Sequence, residues 1–404
     1  MNIKALIKSL FLRKFSTGLL LLQLALTLGL IINSTILALD TKAKLEKDTG
    51  MPLDEMLVVV SSSTSGAFKE LSYAASIAEE DLAKIEQIPG VIAAATSVQL
   101  PIQTGGWNGN VNDVDDQDAV LRDRYLKFVA KFHSNEKLAQ IFDLDLVEGR
   151  YLTEADRTPL FSEEEMNIVI TESLKNALYP SESAIGKLTN AGRIVGVVKD
   201  FVINPGLADD KQYAVFTNMP VTLAEFVQHY IIRVEPSQLN QVKAQIRDVI
   251  LGVQPERDIF GLFSMREHMD SFYANDQGLV SLFIGLCILM VVITAISSYA
   301  YAQFHITQQT KLIGIRRALG ATKKDIVMYV LTENWLVYAL GCLIGIGATI
   351  GFNVMLSQYI ELSKPDFVLA AMGVGILFVA STLATWLPAK KTSNIPPVIA
   401  TKTV

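Results

Sequence analysis

Cysteine is nearly missing from this chain: its 404 residues contain two, Cys287 and Cys342, and both fall inside apolar stretches. A disulfide framework is thereby excluded, and the two thiols read as small apolar packing residues. No G-x-x-x-x-G-K-[ST] occurs, so nothing in these residues cradles a nucleotide as a P-loop does; Gly314 to Lys324 comes nearest and lacks the Gly-Lys pair. The four histidines, His133, His229, His268 and His305, have no metal-ligand spacing and read as surface or core residues. Ser61-Ser62-Ser63-Thr64-Ser65 has no G-x-S-x-G setting and reads as a flexible loop, not a nucleophile. Asp115-Asp116 and Glu163-Glu164-Glu165 read as solvated acids. No catalytic, cofactor-binding or metal site is expected. Charge is scarce too, at 19% of residues against 50% apolar, and the mean hydropathy of +0.34 points to a chain that is part membrane and part soluble.

Four windows are apolar enough to cross a bilayer, Phe15 to Leu39, Leu279 to Ala302, Trp335 to Leu356 and Phe367 to Leu387. The first follows Lys4, Lys8, Arg13 and Lys14 as a signal peptide does, but its apolar run is too long for one and Leu37-Ala38-Leu39 is no cleavage site. It reads as an uncleaved anchor. Basic residues set the orientation. They crowd residues 1–14, the 303–325 loop (Lys311, Arg316, Arg317, Lys323 and Lys324 against Asp325) and the tail (Lys390, Lys391, Lys402), whereas residues 40–302 hold 22 basic and 37 acidic residues. The expected order is a cytoplasmic N-terminus (1–14), a membrane helix (15–39), an extracytoplasmic domain (40–276), a second membrane helix (279–302), a cytoplasmic segment (303–325), a third and a fourth helix (326–356 and 367–387) and a cytoplasmic tail (388–404). The acidity of the exported part argues against nucleic acid as a partner.

In that part, Met56 to Ser61 is extended, Ala78 to Gln87 helical and Val91 to Gln99 extended; the order returns in His229 to Val234, Gln238 to Leu251 and Asp258 to Phe263. The two βαβ halves (40–101 and 227–265) would build a ferredoxin-like split βαβ sheet. A second α+β lobe (102–226) interrupts it. This lobe opens with a bent, mobile loop, Thr104-Gly105-Gly106-Trp107-Asn108-Gly109-Asn110. A helix ending in a Glu148-Gly149-Arg150 turn follows, then a strand entering a helix at Thr171 and a strand closing on Gly196-Val197-Val198-Lys199-Asp200.

The 303–325 segment holds the most informative run: Lys311-Leu312-Ile313-Gly314-Ile315-Arg316-Arg317-Ala318-Leu319-Gly320-Ala321. Leu312, Ile315 and Leu319 form an apolar stripe with Lys311, Arg316 and Arg317 off it, so a short amphipathic helix along the inner face is expected, ended by Gly320. Thr322 to Asp325 is a capping box for the next helix. A membrane-surface role and a partner-docking role both fit these residues. In the third span, Gly341, Gly345, Gly347 and Gly351 recur at the spacing that lets helix backbones approach closely. Glu333 is the one charge near a span, so no ion relay is expected.

The basic run between two membrane spans, together with the Glu-Gly-Arg, Thr171 and Gly-Val-Val-x-Asp elements, resembles the MacB/FtsX-type permeases of ABC transporters. The resemblance implies that residues 311–321 rest on a partner ATPase, which holds ATP and magnesium while this chain binds no cofactor. It also implies an inner-membrane dimer with a second permease, the same or different, and in some relatives a periplasmic adaptor and an outer-membrane duct. The implied task is driving peptides, drugs or other amphipathic substrates outward by mechanotransmission. Lipoprotein release, or signalling to a cell-wall hydrolase without transport, are the alternatives. In one departure, Leu312 stands where such permeases usually carry glutamate.

Overall fold

The computed structural model describes residues 14–63, 65–114, 125–159, 165–219, 227–358 and 366–394. Thr64, Asp115-Asp116, Glu163-Glu164 and most of both expected cytoplasmic termini lie outside these. In chain order the elements are α1 (Lys14–Glu46), β1 (Met56–Ser63), α2 (Leu71–Ile85), β2 (Val91–Ser97), β3 (Asn108–Val111), β4 (Leu126–Ser134), α3 (Leu138–Ile141), β5 (Leu146–Gly149), β6 (Asn167–Thr171), α4 (Glu172–Leu178), β7 (Leu188–Thr189), β8 (Gly192–Val198), β9 (Ala214–Asn218), β10 (Gln228–Val234), α5 (Leu239–Val253), β11 (Arg257–Ser264), α6 (Met265–Phe272), α7 (Ala274–Ala318), α8 (Lys323–Leu356) and α9 (Phe367–Ser393). They form two compact units, one of α1 with α7, α8 and α9, the other spanning Lys47–Phe272.

All four helices of the first unit are long and apolar enough to cross a membrane. α1 is the most enclosed of them. Its Leu20, Leu24, Leu28, Ile32 and Ile36 recur every fourth residue and so share one face, packed against Val337, Tyr338 and Cys342 of α8 and Leu377 of α9. α7 instead turns Leu282, Ile288, Leu289, Val292 and Ile296 outward, as a lipid-facing helix must. The helices outrun the apolar windows that mark them, and α7 does so most: 45 unbroken residues make a rod of roughly 67 Å, about twice a hydrocarbon core.

Among the described residues of the second unit eleven strands share one sheet, with the order β11-β1-β10-β2-β4-β9-β6-β8-β5, β3 pairing with β4 and β7 with β8. Neighbours in β11-β1-β10-β2 are antiparallel, and α2 and α5 pack together. Val242, Ile246 and Ile250 of α5 bury one face against Leu57, Val59, Tyr230 and Ile232. Beneath α2 the wholly buried Asp81 and Arg257 form an ion pair, with Arg257 Nη2 donating to Asp81 Oδ1 over 2.8 Å. The inserted lobe mixes parallel pairs (β4-β9, β6-β8) with antiparallel ones (β6-β9, β5-β8), around an aromatic cluster in which Phe132 and Phe216 stack at 5.3 Å. One residue pair, Ser97 with Ser134, joins the two halves of the sheet.

Three local expectations are corrected. Glu148-Gly149-Arg150 ends strand β5, not a helix: helix α3 stops at Ile141, and Asp143 turns the chain with φ +59°. Ser61 to Ser63 continue β1 because β11 and β10 pair with it there. In the Thr104–Asn110 loop, Gln99 Oε1 accepts from Trp107 N over 2.8 Å and Gln99 Nε2 donates to Trp107 O over 3.2 Å, and Asn108 already belongs to β3.

The other motifs of this lobe serve its own geometry. Gly149, at φ +74°, lies opposite Gly196 across β5 and β8, and a Cβ on either would fall within 2.2 Å of a carbonyl oxygen, Val195 O or Arg150 O. Arg150 pairs with Asp156, Nη2 to Oδ1 at 2.8 Å, and this hydrogen bond holds the Asp156 carboxyl far below its usual range. Asp200 Oδ1 accepts from Ser173 N over 2.8 Å, at the start of α4.

Candidate functional site

Residues 311–321 are the last turns of α7 and the corner that follows, so the expected separate helix on the inner face is replaced by a continuation of the membrane rod. Nothing between Gln303 and Ala318 breaks a helix. Gly314 costs only about 1 kcal/mol there, and it is buried beside Ile313, which packs with Ile306, Ile326, Tyr329, Val330 and Ala389. At the end, Gly320 takes φ +99°; its N–H donates to Arg317 O over 3.1 Å, and Ala321 N donates to Arg316 O over 3.0 Å. This pair of bonds is a Schellman closure. α8 starts at once: Asp325 N donates to Thr322 Oγ1 over 3.2 Å while Thr322 N donates to Asp325 Oδ2 over 2.8 Å. The Thr322 bonds hold the Asp325 carboxyl below its ordinary range.

The faces of this end differ from the simple stripe. Leu312, Ile315 and Leu319 are 43%, 44% and 83% exposed, with Lys311 and Ala318 beside them. Both arginines turn back onto the chain: Arg316 lies 4.2 Å over the Tyr329 ring, and Arg317 Nη1 donates to Ala321 O over 3.1 Å. An apolar, outward-facing tip therefore stands on a corner that its own cations brace.

Deeper in the unit the structure brings together a polar layer that sequence reading missed. His305 of α7 pairs with Glu333 of α8, and they are 3% and 2% exposed. The Tyr301 ring lies parallel to His305 with centroids 6.3 Å apart, and its hydroxyl meets Thr17 Oγ1 of α1 at 3.3 Å. Asn334 Nδ2 donates to Ser381 Oγ of α9 over 2.9 Å, and Ser381 Oγ meets Ser298 Oγ of α7 at 3.3 Å. All four helices thus contribute. A signal was present in the sequence: His305 lies 15 residues before Gly320 and Glu333 lies 12 after Ala321, within one helical turn of each other along antiparallel helices.

The glycines of α8 divide into two pairs. A Cβ on Gly341 would stand 2.9 Å from Leu24 Cβ, and one on Gly345 would stand 3.1 Å from Ala25 Cα, so α1 approaches closely at both. Gly347 and Gly351 have open space around them. Gly373 of α9 meets Leu28 and Ile32 of α1 in the same close manner.

The family model of the MacB-like periplasmic core domain matches residues 19–249, more than half of the chain, and that of the FtsX-like permease C-terminal matches residues 276–397. Among curated relatives, the macrolide export ATP-binding/permease protein MacB of Marinobacter nauticus is 24% identical over 80% of this chain and 49% of its own length. MacB of Wolinella succinogenes is 22% identical over 97% of this chain and 59% of its own length. The chain therefore spans about half the length of the curated relatives it matches. The crystal structure of the periplasmic region of MacB from Actinobacillus actinomycetemcomitans aligns over 56% of this chain and 96% of that one, with a TM-score of 0.37 and 13% identity. Four membrane-length helices and a large α+β extracytoplasmic domain, matched along their length by these two family models, make the chain a member of the MacB-like family of ABC transporter permeases.

Proposed function

We propose that this chain is the permease part of a mechanotransmitting ABC transporter, passing ATP-driven motion from a nucleotide-binding partner outside these 404 residues to its extracytoplasmic domain. The observation that carries this is the tip of α7: three exposed apolar side chains, Leu312, Ile315 and Leu319, end an unbroken 45-residue helix that begins two residues after the exported unit's last helix, α6. A rod transmits displacement, and an apolar patch on its water-facing end asks for a protein surface. ATP and magnesium belong to that partner. A second permease copy beside this one, an inner-membrane location, and an adaptor and duct beyond it complete the reading. Amphipathic compounds are the substrate class in view, supported by relatives whose names say macrolide export. The order β11-β1-β10-β2 with its paired helices supports a ferredoxin-like reading of the first lobe. The test is co-purification: Ile315→Asp with Leu319→Asp should fold in the membrane yet lose the ATPase partner. Undiminished recovery of that partner would overturn the proposal.

A further inference from the structure

We infer that His305 and Glu333 are positioning residues for this coupling, closing the α7–α8 hairpin into one rigid body so that movement at its tip reaches the rest of the helical unit. The inference rests on the proposed transmission role and adds where the motion is held.

Stability does not explain the pair. Taking a glutamate carboxyl and a histidine ring out of water costs free energy that their contact does not fully return, and apolar residues of similar size usually hold a core equally well. What a buried pair does supply is registry. Leucine against isoleucine tolerates a slip along the helix axis. A slip of one turn, about 5.4 Å, would part the Glu333 carboxylate from the His305 ring, so the pair holds α7 and α8 to one alignment.

The pair's position fits this role. It lies roughly 20 Å from the corner along α7 and roughly 15 Å along α8, and the hairpin between is packed by Ile306, Ile313, Ile326 and Val330. Tyr329 hydroxyl donates to Gln309 Oε1 over 3.2 Å across the same gap. From the pair outward, Tyr301 to Thr17 reaches α1 and Asn334 to Ser381 reaches α9. Tip, hairpin and closing pair form one continuous body whose far end touches every helix of the unit.

The experiment uses the full chain with its co-purified ATPase in proteoliposomes. His305→Leu and Glu333→Gln should each retain the ATPase but lower permease-dependent ATP hydrolysis roughly tenfold, the scale of coupling energies carried by single network residues. Exchanging the two, His305→Glu with Glu333→His, should restore it, which a general packing defect would not allow. Single variants with undiminished hydrolysis would overturn the inference, and so would an exchange that restores nothing, including where the singles fail to fold. The tip variants separate the two levels: if they too retain the ATPase, the transmission reading has failed, whereas tip variants that lose it beside fully coupled His305 and Glu333 variants dismiss the closing pair alone.

Discussion

His133, in β4, has its Nδ1 2.7 Å from Thr217 Oγ1 and the edge of Trp107 beside it. Burial, helped by the charge of Lys131, pushes its pKa down from 6.5 to about 4. The unfolded chain therefore takes up this proton first. The stabilisation is complete above pH 6.5, declines as pH falls toward 4 and then levels off, a loss on the order of 3 kcal/mol. Asp156 contributes in a separate window, since its depressed carboxyl keeps its share until the pH falls below the ordinary 3.8. Denaturant unfolding followed by Trp107 fluorescence, with Trp335 and Trp386 replaced by phenylalanine, should show the decline in the parent and a shallower one in His133→Asn, where His229 and His268, also pushed down by burial, still contribute. An equal slope in both would remove His133 as its source.

Among the elements, α8 offers a paired comparison. Leucine at Gly345 would press on the α1 backbone at Ala25 and on Leu28, whereas a side chain at Gly347 starts into open space. Overpacking of this kind costs about 1–3 kcal/mol. Thermal unfolding in detergent should therefore separate Gly345→Leu from a near-neutral Gly347→Leu. Equal losses at both would mean that α1 does not approach where the structure has it. The four helices and the strands β1, β2, β6, β8, β10 and β11 were legible in the sequence, because apolar period and β-branched runs are local signals. The Glu148-Gly149-Arg150 strand end was not. Its cause is a left-handed Asp143 and a close crossing with Gly196 some forty-five residues away, and neither leaves a periodic trace. The apolar stripe of α7 was legible as a stripe, but its outward direction depends on Ile313 and Tyr329, which only the fold brings together.

For the whole molecule, the charge asymmetry is the feature that sequence alone made plain, and it has a direct check. In a chain whose Cys287 and Cys342 are replaced by alanine, a cysteine at Lys137 should react with an impermeant thiol reagent in intact cells, and one at Lys323 should react only after the membrane is opened. Labelling at Lys323 in sealed cells would reverse the topology. The His305–Glu333 pair was harder to see, since two residues 28 apart become partners only once the corner between them is known. That corner is short: Leu319, Gly320, Ala321 and Thr322 are all that separate two long helices, and both ends are closed by their own hydrogen bonds. In an engineer's terms it has no backlash. If α7 carries the transmission proposed above, a longer, looser loop would absorb the first few ångströms of any thrust before the load moved, whereas this closed corner would pass it on from the start.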